Sequence, residues 1–390
     1  MKITILLNEP YPHGMAATNR IHLYAKRFKE QGHDVEIVVP MPTEIHRTKA
    51  VNFQIKGEYD GIKFRYSLSP VRSKSFIMRR INDVFAYFNT WGYLIRTRRN
   101  SDVFLVAGIP LYNILTCKFF CLIFNCKFVW EKTELPFVFA KKNTINIIYH
   151  KIYARFVFRL FDGIILISDN LYDYFKDKAA KKTRFVVIPI LTDTSVFIPT
   201  ENNSGEIVYA GVLNQFKDGI IDLLKAYRIF IEKMPERKLV LMGDINLSSD
   251  KEEINKFIWE NNLQDKIELT GYVSRTEMIG RMCNAAVLVL AKPANLQSEY
   301  CVPTKIAEYL STGKPVLTTN TGVIPKFLTN DKDSFLVEPG SPVKFSEALE
   351  NILADYAQSQ IVGKKGRILA QDQFEYTRQG DRILAFFMTC

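Results

Sequence analysis

Lys305 and Glu308 stand three residues apart within Ser-Glu-Tyr-Cys-Val-Pro-Thr-Lys-Ile-Ala-Glu-Tyr-Leu-Ser-Thr-Gly-Lys-Pro-Val, residues 298–316. That spacing puts them on successive turns of a short helix. The backbone N–H groups of the helix's first turn, at Thr304 and Lys305, have no intrahelical partner and favour an anion such as a phosphate. Glu308, one turn further in, can accept hydrogen bonds from paired sugar hydroxyls such as those of a ribose. Ser298 and Glu299 add side-chain oxygens ahead of the helix, and Gly313 with Pro315 ends it before an apolar strand. The plain alternative is a helix packed on a sheet with Glu308 merely solvated.

Other loops carry groups of the same kind. Asn8 to Arg20 follows an apolar β-rich run; Gly14, Ala16 and Ala17 let backbone approach a ligand, Thr18 is a candidate N-cap and Arg20 lies in the first helical turn. A matching loop, Gly211 to Gly219, places Lys217 just ahead of a helix, where an ammonium can neutralise charge on a departing phosphate. Gly243-Asp244 and Gly271 to Ser274 end further apolar runs, and backbone at Val273 can read the edge of a nucleobase. Trp130 to Pro136 brings Glu131, Thr133 and Glu134 to a strand end; Glu134 can bind or deprotonate a hydroxyl, or cap a helix. The five histidines show no metal-ligand spacing, and Asp331-Lys332-Asp333 reads as a turn, so no metal is expected.

These loops need strands to hold them. Lys2–Asn8, a helically spaced Ile21, Tyr24, Ala25 and Phe28, and Val35–Val39 form a βαβ unit, which predicts a parallel sheet. Strands follow at residues 103–107, 127–130, 163–167 and 185–188, with a helix over 144–161. After a polar stretch at Thr200–Gly205 the series restarts at 207–210 and continues at 238–242, 267–269, 286–290, 315–319 and 335–337. Two successive doubly wound α/β domains follow from this layout, as the 390-residue length also suggests.

Charge is divided unevenly. Residues 1–200 carry 30 Lys+Arg against 16 Asp+Glu and residues 201–390 carry 22 against 25, within an overall net charge of +11. A basic first half suits an anionic partner: nucleic acid, acidic lipid headgroups or a pyrophosphate-bearing substrate. Clusters at Arg79-Arg80, Arg96 to Arg99 and Lys141-Lys142 are mixed with aromatic and aliphatic residues, which favours a membrane surface, and no nucleic-acid-binding motif accompanies them. No apolar run approaches the roughly 20 residues that span a bilayer. The first residues read as a strand rather than a signal peptide, and six cysteines without a Cys-x-x-Cys pair fit a reducing, cytoplasmic setting.

Taken in order, the Gly14 loop, Gly32-His33-Asp34-Val35, Ile188-Pro189 to Phe197, Gly211 to Gly219, Gly243-Asp244, Gly271 to Ser274 and Pro303 to Leu310 resemble the retaining glycosyltransferases of the GT-B fold, specifically the large family 4 that builds bacterial polysaccharides and glycolipids. The resemblance implies two Rossmann-like domains facing across a cleft: an acceptor-side domain over 1–200, a donor-binding domain over 201–371, and a C-terminal helix over 372–390 returning to the first. It implies transfer of a sugar from a UDP- or GDP-linked donor to a glycan or lipid-linked acceptor, with retention and without a metal or cofactor. Glu308 then corresponds to the second glutamate of the E-x7-E motif on the nucleotide ribose, Lys217 to the lysine on the departing diphosphate, Val273 to the base contact, and Gly14 to the loop nearing the donor. Gly211, Gly243, Glu299, Thr304 and Lys305 complete the donor set, with Glu134 near the acceptor. Three positions depart from the pattern. Tyr300 stands where the first glutamate belongs, Val212 stands where an arginine belongs, and the acceptor-side histidine has no counterpart. Arg20, Arg275 and Lys292 are candidate substitute cations. A sugar-nucleotide epimerase of the same fold and a non-catalytic partner in polysaccharide assembly are the competing readings.

Overall fold

The computed structural model describes residues 1–44, 50–97, 101–136 and 153–390, which divide into two compact units. One comprises Met1–Leu191 with Tyr376–Cys390, and the other Thr192–Glu375. Lys141-Lys142, Arg98-Arg99 and the first half of the helix expected over 144–161 lie outside the described residues.

The first unit holds eight strands: β1 (Lys2–Leu7), β2 (Asp34–Val39), β3 (Lys56–Tyr59), β4 (Ile62–Tyr66), β5 (Val103–Ala107), β6 (Lys127–Lys132), β7 (Gly163–Leu166) and β8 (Arg184–Val187). They lie in the order β3-β4-β2-β1-β5-β6-β7-β8, parallel throughout except for the β3–β4 hairpin. Apolar runs buried on both faces are what a helix-covered parallel sheet demands, and Ile3, Ile5, Ile37, Leu105 and Val129 are fully buried. The hairpin was not among the expected strands. Its Asp60-Gly61 turn has positive φ at both positions, 49° and 74°, the two-residue turn that twists with the strands it joins.

Helix Ala16–Glu30 buries Ile21, Tyr24, Ala25 and Phe28, as their spacing predicts. The terminal helix Tyr376–Thr389 belongs to this unit; Ile383 and Phe387 are fully buried in its core, and Asp381 accepts two 2.8 Å hydrogen bonds from Arg27.

The second unit has six parallel strands: β9 (Ile207–Ala210), β10 (Leu239–Met242), β11 (Ile267–Gly271), β12 (Val287–Leu290), β13 (Val316–Thr319) and β14 (Phe335–Val337). Their order is β11-β10-β9-β12-β13-β14. The chain winds outward from β9 in one direction, then returns beside it at β12 and winds outward in the other. Between β9 and β12 the connections diverge to opposite faces, leaving a crevice at the strands' carboxyl ends, where open α/β sheets bind ligands.

Candidate functional site

Loops after β9 and β12 meet at that reversal point in the second unit. Helix Gln215–Asp218 follows β9, capped by Asn214, whose side chain accepts from the Lys217 N–H at 2.8 Å. Helices Leu296–Tyr300 and Thr304–Ser311 follow β12. The loops are laced together. Lys292 Nζ donates to the Lys217 carbonyl at 2.9 Å, and Asn295 Nδ2 to the Phe216 carbonyl at 2.7 Å. These bonds tether the Lys217 turn to the loop after β12.

Lys305 is a second tie. Its ammonium lies 2.9 Å from Asp218 Oδ2 and 2.9 Å from the Tyr209 hydroxyl, with side-chain exposures of 13% and 10% for the lysine and aspartate. Burial first, and the Asp218 charge second, push the Tyr209 phenol well above its ordinary pKa, so it stays protonated and donates. The Lys305 ammonium is thus engaged by Asp218, and what the residue offers an anion at the helix start is its backbone N–H. The same ammonium explains Gly211, where a Cβ would come within 2.4 Å of Lys305 Nζ. At Gly243 a Cβ would lie 2.1 Å from the Gly211 carbonyl oxygen. Both glycines are therefore required by the packing of strand-end loops on one another, whatever else they admit.

Glu308 lies one turn beyond Lys305 on Thr304–Ser311, partly buried, and its Oε1 pairs with Arg275 Nη2 at 2.7 Å. Arg275 begins helix Arg275–Asn284 after β11, capped by Ser274, and its guanidinium sits 5.8 Å from the Phe197 ring centroid. Two residues expected to act separately are thus neighbours. Since Arg275 engages one carboxylate oxygen, the other remains to accept from a hydroxyl. Thr304–Ser311 starts at Pro303 with no side-chain cap, which leaves its first turn suited to an anion. Val273 is partly exposed between the strongly exposed Tyr272 and the Ser274 cap, and Glu299 is exposed on Leu296–Tyr300.

The three substitute cations fare differently. Arg20 is buried in the first unit, donating to Glu131 at 2.7 Å and to the carbonyls of Pro189 and Ile188 at 2.6 and 2.7 Å. Its guanidinium ties helix Ala16–Glu30 to the ends of two strands, β6 and β8, and is engaged in the first unit's own packing. Lys292 is buried on the Lys217 carbonyl. Arg275 keeps 45% of its side chain exposed, and Lys217 is also exposed. These two are the site's solvent-facing cations from the expected set.

In the first unit, the loop after β1 does not use Thr18 as a cap. Met15 holds the N-cap position of helix Ala16–Glu30 with no side-chain cap, and the Thr18 hydroxyl donates to the Pro10 carbonyl at 2.8 Å. That bond fills the space over Gly14, where a Cβ would meet Thr18 Oγ1 at 2.1 Å. Glu134, after β6, comes near Glu9, after β1. Burial first and the Glu134 charge second raise the Glu9 carboxyl above its ordinary pKa. Glu9 was overlooked in the sequence; its place directly after a first strand, in the same loop as Gly14, was the available signal.

The two doubly wound α/β units match solved structures of the GT-B fold. Residues 204–355 match the family model described as Glycosyl transferases group 1. Sucrose-phosphate synthase from Thermosynechococcus elongatus superposes with a TM-score of 0.75 at 14% identity, covering 100% of this chain and 98% of that one. HepE from Anabaena, in complex with UDP-glucose, superposes with a TM-score of 0.71 at 12% identity, covering 100% of both. In sequence, spore coat protein SA of Bacillus subtilis (strain 168) is 22% identical over 198 residues, 46% of this chain and 48% of that protein. The chain thus spans about half the length of the curated relative it matches.

Proposed function

We propose that the protein transfers a sugar from a nucleotide diphosphate, UDP- or GDP-linked, to a hydroxyl of a glycan or lipid-linked acceptor, with retention and without a metal, in cell-surface polysaccharide synthesis. The observation that carries this reading is the Glu308–Arg275 pair beside the uncapped start of Thr304–Ser311, inside the segment that matches Glycosyl transferases group 1. Glu308 accepts from the ribose, Val273 backbone meets the base, and the first turn at Thr304 receives phosphate. Arg275 and Lys217 counter the diphosphate's charge, Arg275 standing in for the arginine missing at Val212. A donor phosphate oxygen takes the acceptor's proton as its hydroxyl attacks from the leaving group's face. The chain's contribution is orientation and fixed charge where the leaving group develops it. Glu134, with Glu9 beside it, is the acceptor-side carboxylate. UDP-glucose bound to HepE supports a UDP-linked donor by likeness of fold.

The test is incubation with radiolabelled UDP- and GDP-sugars and a membrane extract. Label transferred to lipid or glycan supports the reading. An epimerised free nucleotide sugar would replace it with the epimerase, and binding without turnover with a non-catalytic partner.

A further inference from the structure

Helix Phe76–Thr97 carries two apolar faces where one would serve a core. Its inner face is buried through Ala86, Thr90, Tyr93 and Leu94. Opposite runs a stripe at helical spacing, Ile77, Ile81, Val84 and Phe88, with exposures of 69, 41, 54 and 61%. Helix Leu111–Phe124 repeats the arrangement. Ile114, Cys117 and Cys121 are buried, while Leu115, Phe119 and Leu122 are 51, 53 and 69% exposed.

The two helices are joined along their flanks. Tyr87 and Trp91 of the first reach Thr116 Oγ1 of the second at 2.9 and 3.1 Å, and the Trp91 and Phe120 rings lie 5.6 Å apart. With the inner faces down and the flanks shared, both outer stripes face solvent on one side of the first unit. An apolar face of this extent is not an ordinary soluble surface.

Charge selects its occupant. Over residues 72–97 the chain has Arg72, Lys74, Arg79, Arg80 and Arg96 against a single acid, Asp83, and Leu111–Phe124 contains no acid at all. At the start of the first stripe a concavity is lined by Arg72, Phe76, Arg79 and Arg80, with Asp83, paired with Arg80 at 3.5 Å, as its one acid. Among the described residues no helix is long and apolar enough to cross a membrane. A helix with rings and aliphatics on one side and cations at its border lies in the plane of a membrane interface. A second copy meeting the same face about a two-fold axis would bring like charges together.

We infer that the outer face of Phe76–Thr97 and Leu111–Phe124 docks the protein on an anionic lipid surface, with the arginines around Phe76 meeting lipid phosphate. This deepens the proposal of a lipid-linked acceptor, on which it rests, by naming the surface that brings the protein to it.

The test is flotation of the full chain with phosphatidylcholine vesicles, with and without phosphatidylglycerol, and needs neither donor nor acceptor. Wild-type protein should float with the anionic vesicles only, and less so at high salt. Arg79→Ser with Arg80→Ser should lower partitioning by about fivefold per cation, roughly 25-fold together, and Ile81→Ser with Phe88→Ser should abolish it. All four side chains are exposed, so the fold should survive, and an unchanged UDP-induced thermal shift in each variant checks that the nucleotide site does too. The inference fails if wild-type protein does not float, floats equally on neutral vesicles, or if the variants float like wild type. A dimer in solution that Phe88→Ser dissociates, without vesicle binding, would assign the face to a second copy instead. Loss of the UDP shift in wild-type protein would overturn the donor-site reading and leave the vesicle result standing.

Discussion

Replacing Glu308 by glutamine separates its part in ligand binding from its part in the fold. The substitution keeps side-chain shape and removes the charge. On the folding side the loss is confined to the Arg275 pair, whose partners are 45% and 20% exposed. Exposed pairs of this kind contribute about 0–1 kcal/mol, and Arg275 turns to water with little penalty. On the binding side a carboxylate accepting from ribose hydroxyls contributes about 1.5–3 kcal/mol, an affinity loss of roughly 10- to 150-fold for the variant. Titration calorimetry with UDP and GDP against both proteins reads the second number, and urea unfolding reads the first. The expected result is a large rise in Kd for the nucleotide that wild-type protein prefers, with unfolding free energy within about 1 kcal/mol. An unchanged Kd would refute the ribose role. A stability loss of several kcal/mol would show that the pair is a structural tie like Lys305–Asp218. Arg275→Met supplies the converse, exposing Glu308 to a diphosphate with one cation fewer, so donor affinity should fall there as well.

Lys217→Ala should lower turnover more than donor affinity, because an ammonium on the leaving diphosphate gains most as that charge develops; an equal loss in kcat and 1/KM would remove that role. Asp218→Asn strips the charge facing Lys305 at 2.9 Å and should destabilise the protein by about 3–5 kcal/mol. The Asp218→Asn, Lys305→Met double variant should recover much of this in urea unfolding, and a single variant as stable as wild type would refute the buried pair. Glu9→Gln should stabilise the first unit at neutral pH. A carboxyl raised in the folded state is penalised once ionised, so the gain should appear as pH rises above the ordinary carboxylate value and vanish well below it. A pH-independent difference in melting temperature would argue against burial and Glu134 as the cause.

What the sequence disclosed follows from the range of each signal. Strand β9 falls on Ile207–Ala210 and the buried stripe of Ala16–Glu30 on Ile21, Tyr24, Ala25 and Phe28 because binary pattern is local and periodic. The hairpin at Asp60-Gly61 was equally local, yet β3 (Lys56–Tyr59) is too polar to read as a strand without the turn that pairs it. At the site the loops were legible, since a parallel sheet brings its carboxyl ends to one edge, but the partners were not. Lys305 meets Asp218 and Glu308 meets Arg275 across segments whose proximity depends on the strand order β11-β10-β9-β12-β13. Nothing within either segment encodes that order. The distinction matters chemically: two cations and two carboxylates could be paired either way, and the strand order decides which cation is spent on packing. With Lys305 held by Asp218, the charge exposed beside Glu308 is Arg275, brought there from the loop after β11.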